Sequence, residues 1–109
     1  MDANEPLLDL MVNANDLEWK DAGKTYMRGT QIKVLREDAG GRTLLLKLPA
    51  GFRQESHSHL QTEQHYILGG SYRMGDVECP AGTYQLTHAN MTHGPFTSSE
   101  GAEILVIWH

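Results

Sequence analysis

The chain has 109 residues and a formal net charge of −5 at neutral pH, enough for one domain with one core, and the wrong sign for gripping nucleic acid through its phosphates. Its single cysteine, Cys79, excludes an internal disulfide and a thiolate metal cluster, and suits a reducing compartment. The first twenty residues place acidic groups before a short apolar stretch, with no basic start, and no run is long enough to span a bilayer. The expectation is a cytoplasmic protein with neither membrane nor nucleic-acid partner.

In chain order, residues 1–24 read as a polar arm able to add an edge strand, with room for a turn or two of helix over 5–12. Residues 25–109 read as the body of a single domain. Residues 31–37 alternate around Ile32 and Val34, and Asp38-Ala39-Gly40-Gly41 forms a turn into the apolar run 42–48 (RTLLLKL). Residues 63–68 alternate, Gly75-Asp76 ends or kinks a second hairpin, and 83–86 is a short strand. The β-branched run 102–108 (AEILVIW) belongs in the middle of a sheet with both faces covered. Short strands with regular turn signals, and no helical stripe, predict an all-β sandwich or barrel.

The chemistry concentrates in His57-Ser58-His59, followed by Glu63 and later by His93. Two histidines at i and i+2 on a strand point to one side of a sheet. Glu63 can return to that side after a bend, and His93 can complete a set of four ligands for a divalent metal. His65 shares the parity of Glu63 and should point inward beneath the metal, either as a hydrogen-bonded core histidine or as a proton carrier. Tyr84 and Tyr72 are candidates to line the cavity. Cys79 reads as a buried small hydrophobe, His88 as a turn or rim residue, and His109 as solvated.

The string GFRQESHSHLQTEQHYILGG reads G-x5-H-x-H-x3-E-x6-G, from Gly51 to Gly70, and resembles the first motif of the cupin superfamily. A second motif starts best at Gly82, with His88 in the place of its proline, Asn90 in that of its second glycine, His93 on the ligand position, and Thr97 in that of its asparagine. Asn tolerates the left-handed backbone that such a glycine position requires. The string PAGTYQLTHANMTHGPFTSSEGAEILV is similar to the compact ChrR-type and acetylacetone-dioxygenase-like cupins.

The resemblance implies a double-stranded β-helix, or jelly roll, of two antiparallel sheets. It implies one divalent metal, iron foremost, with zinc, manganese or nickel as alternatives, held by His57, His59, Glu63 and His93. His65 and Tyr84 are the expected catalytic residues, shaping the pocket of a non-haem iron dioxygenase for a small oxygenated molecule such as a β-diketone. A zinc-binding sensor module and a sugar-acid isomerase or lyase are the alternatives. Basic residues facing the cavity would mark the last, and Arg53 and Arg73 are the candidates near the motif. A homodimer paired through sheet edges and the arm is the expected assembly.

Overall fold

The computed structural model describes residues 8–109. Nine strands follow in chain order: β1 (Lys20–Asp21), β2 (Gln31–Asp38), β3 (Gly41–Leu48), β4 (Phe52–Gln54), β5 (Glu63–Met74), β6 (Val77–Pro80), β7 (Tyr84–Thr87), β8 (Phe96–Ser98) and β9 (Ala102–Trp108). The helical content of the described residues is one 3-10 turn, Ala14–Asp16, capped by the Asn13 side chain. Residues 8–12 carry no helix, and 5–7 lie outside the described part. No described helix is long and apolar enough to cross a membrane.

All pairings are antiparallel, and the sheet curls on itself in the order β1-β2-β3-β9-β5-β8-β4, with β6 and β7 also on β5. This is the jelly roll. The long strand β5 belongs to both halves: its first residues pair with β9 and β7, and its last with β6 and β8. The change of sheet falls at Gly69-Gly70, where the register against β9 shifts. Gly70 has φ +70, and a Cβ there would collide with the Gly101 carbonyl oxygen. A glycine bend and a bulge therefore let one strand serve two sheets.

The core fills the space between the sheets. Leu44, Leu46 and Leu48 of β3, Ile104, Val106 and Trp108 of β9, and Phe52, Ile67, Tyr72 and Phe96 are all buried. The β9 run differs from its expected two-sided burial. Its alternate residues Glu103, Leu105 and Ile107 are only half-buried, because the sheet that contains β9 has one face turned inward and one outward. The arm does contribute an edge strand, with Lys20 opposite Ile32 and Asp21 opposite Gln31. Gly75-Asp76 forms the turn between β5 and β6, with Gly75 at φ +60.

Candidate metal centre

Glu63 and His65 are the first two inward positions of β5, and both are buried. His57 and His59 were expected on a strand, yet they lie in the connection between β4 and β5. Their common direction comes from contact with a second loop. The main chains of His57 and His93 pair as an isolated bridge, with His57 N to His93 O at 3.0 Å and His93 N to His57 O at 2.9 Å. Asn90 N donates to His59 O at 2.7 Å, with Asn90 at φ +65, the left-handed turn its motif position demands. The two loops are thus stitched together by the backbone of the ligating residues themselves.

The side chains converge accordingly. One ligating atom from each of His57, His59, Glu63 and His93 lies within 4.8 Å of all the others. His93 Nε2 is 3.0 Å from His57 Nε2, and Glu63 Oε2 is 3.2 Å from both His59 Nε2 and His93 Nε2. Bonds of about 2.1 Å to a central ion, at right angles, would leave neighbouring ligands about 3 Å apart. Glu63 Oε2 is buried, and despite those close nitrogens it makes no hydrogen bond, which is costly unless a cation meets it. The donor set therefore fits a divalent first-row ion.

Tautomers agree with this. The carbonyl of Glu55 can only accept, so the His57 Nδ1–H donates to it at 2.9 Å, leaving the Nε2 lone pair for the site. His93 Nδ1 is 3.1 Å from the Thr87 hydroxyl. Burial holds His59 below the usual imidazole range, with the Glu63 charge opposing, so its ring favours the neutral, ligating form. Burial pushes the Glu63 carboxyl up, but its contacts with His65 and His93 outweigh that and keep it well below the usual carboxylate range.

Behind Glu63 runs a buried polar chain. His65 Nε2 is 2.7 Å from Glu63 Oε1, and His65 Nδ1 is 3.0 Å from the Tyr72 hydroxyl, which donates to Gln85 Oε1 at 2.6 Å. A carboxylate oxygen can only accept, so His65 donates to Glu63 Oε1 through its Nε2–H. Oε1 is thereby occupied, and Oε2 is left to the ion.

Tyr84 lies elsewhere. It pairs with Tyr66 on the outer face of the sheet, is 55% exposed, and donates to Gln64 Oε1 at 2.6 Å. Parity decides this: Glu63, His65 and Ile67 take the inner face, so Tyr66 and its partner Tyr84 take the outer one. Tyr72 does face inward, as part of the polar chain. Arg53 and Arg73 are exposed and stand opposite Thr97 across β4, β8 and β5; Arg53 borders the cavity beside His57 and His59, and Arg73 borders neither cavity at the ligands. His88 and His109 are exposed, and Cys79 is buried.

The family model for the ChrR cupin-like domain matches residues 8–109. The chain belongs to the ChrR cupin-like family. No curated protein matches it. Solved structures do resemble this cupin. A candidate acetylacetone dioxygenase from Methylibium petroleiphilum PM1 superposes with a TM-score of 0.83 at 18% identity, covering 96% of this chain and 79% of that one. An acetylacetone dioxygenase from Acinetobacter johnsonii gives 0.75 at 14%, covering 96% and 75%. The anti-sigma ChrR of Rhodobacter sphaeroides, in complex with SigE, gives 0.70 at 19%, with 89% of this cupin matched to 51% of that chain. At these identities the likeness establishes the shared fold.

Two residues absent from the sequence reading border the cupin's site. Tyr26 lines two cavities, one beside His59 and one beside both His57 and His59. Burial, and then the charge of Glu63, push its hydroxyl up to about 12. Arg42 lines the first of these cavities. Its signal was present in the sequence, since it shares inward parity with Leu44, Leu46 and Leu48.

Proposed function

We propose that this cupin is a metal-dependent enzyme, a non-haem iron dioxygenase acting on a small oxygenated molecule such as a β-diketone. The observation that carries this reading is the asymmetry of the ligand set. Glu63 and His93 are buried at the back, while His57 and His59 are half-exposed in front, beside cavities of ≈ 390 and ≈ 520 Å³. A four-ligand ion in this setting keeps a face open to a small molecule. Iron held there supplies reaction with O₂ and a Lewis acid for an enolate. His65, in contact with Glu63 Oε1, holds a proton next to the ligand sphere; Phe96 packs against the buried His93 and Trp108 walls the cavity beside His59.

The likeness to ChrR favours a second reading, a zinc-binding module without turnover. Metal content of protein purified without chelators separates the two. Near-stoichiometric iron, with oxygen uptake on a panel of diketones, is the expected result. Stoichiometric zinc without iron, or uptake that stays at background on iron-loaded protein, would transfer the proposal to the second reading. The exposed apolar residues Tyr66, Leu68, Tyr84 and Leu86 on the outer face of the large sheet support a homodimer as part of the same proposal.

A further inference from the structure

We propose that the mouth of the barrel carries an anion site centred on Arg42, with Tyr26 beside it, so that the substrate met by the metal is a small organic acid, of the β-diketo acid type. The proposal deepens the enzyme reading above and rests on it. Its basis is the strand register. Glu37 stands opposite Arg42, Arg42 opposite Trp108, Trp108 opposite Glu63, and Glu63 opposite Thr87. One row of cross-strand neighbours thus joins Arg42 to the metal ligand, and the buried Trp108 between them fixes that row on the inner face. Two strand spacings put the backbones of Arg42 and Glu63 roughly 10 Å apart. An arginine side chain reaching inward brings its guanidinium within the length of a small acid bound at the ion.

The cavity of ≈ 390 Å³ at this point joins Arg42 and Tyr26 to the ligand His59, with Thr25, Gln61 and Trp108. The Arg42 guanidinium lies over the Trp108 ring, 5.6 Å from its centroid. Its Nε is buried and lacks a hydrogen-bond partner; Glu37 Oε2 is 2.7 Å away but poorly aligned to accept. Glu37 is itself half-exposed, so it balances the charge without filling the donor fork. A planar guanidinium with free donors matches a carboxylate in two parallel bonds. The Arg42 side chain is 40% exposed, so water meets its outer donors in the free protein; an acid in the cavity replaces that water with a charge-assisted pair, and a neutral diketone cannot.

The test compares two ligands on cobalt-loaded protein, followed through the cobalt absorption. They are acetylacetone and 2,4-dioxopentanoate, in which a carboxylate replaces one terminal methyl. Wild type should bind the acid at least about tenfold more tightly. In Arg42→Met that margin should vanish while the affinity for cobalt stays unchanged. Arg42→Lys, which keeps the charge but not the fork, should retain part of the margin, and it serves alone if Arg42→Met does not fold. No margin in wild type, or an undiminished margin in Arg42→Met, overturns the proposal. If neither ligand perturbs bound cobalt, the diketone reading fails by itself. Calorimetry with succinate then decides the anion site: Arg42-dependent binding upholds it and no binding overturns it.

Discussion

Glu63 divides its two oxygens, one for His65 and one for the ion. Glu63→Gln keeps the shape and removes the charge, so metal content after dialysis should fall to a small fraction of wild type. Tyr72→Phe tests the chain behind it. Loss of one hydroxyl leaves buried groups of His65 and Gln85 without their partner, which should cost about 1–3 kcal/mol in urea unfolding and lower cobalt affinity by about 10–100-fold. The cluster of His57, His59, Glu63 and His93 was legible in the sequence because metal binding needs fixed residue types at fixed spacing. The roles of Tyr84 and Arg42 depend on which face their strands present. Parity with Leu44 gives the face of Arg42 from the sequence alone. That its row leads to Glu63, and that Tyr84 shares the face of Tyr66, is known only from the pairing of β3 and β5 with β9 and of β5 with β7. Tyr26 gave no signal, since it sits between elements and reaches the site only through the folding of residues 22–30.

Among the elements, β5 bears the most constraint, as it carries a ligand at one end and changes sheet at Gly70. Gly70→Ala forces a side chain into left-handed backbone and against Gly101, so a loss of about 2–3 kcal/mol is expected, read as a fall in Tm of roughly 10 °C or more. The sequence carried the extents of β2, β3 and β9 nearly to the residue, because their apolar patterns end at turn residues. It stopped β5 at 68 and left the remaining strand unread, since Gly69-Gly70 looks like a terminus and is instead a bend inside a strand. It likewise placed His57 and His59 on a strand, although alternation alone does not distinguish a strand from an extended loop held by one bridge.

For the molecule as a whole, a site assembled from two loops and the start of β5 links metal occupancy to folding. Saturating metal at about 100 times its Kd should add roughly 2.7 kcal/mol to stability, so chelation should lower the Tm of wild type and leave that of Glu63→Gln nearly unchanged. Alkali gives an independent check through Tyr26. Its ordinary value near 10 is raised to about 12 in the folded protein, so the neutral form is favoured by folding. That stabilisation is complete below pH 10 and is lost as the pH rises through 12, by up to roughly 3 kcal/mol. Tyr26→Phe should flatten this part of the profile. Sedimentation tests the homodimer, with a species of about twice 12.2 kDa expected.

The stitching of His57 to His93 uses main-chain atoms only. Replacing either ring leaves those bonds in place, so the loops keep their shape while the ligand changes. A descendant of this chain could therefore exchange imidazole for carboxylate, or lose a ligand altogether, in one mutational step without passing through an unfolded ancestor. The scaffold and the identity of its ion can evolve on separate clocks.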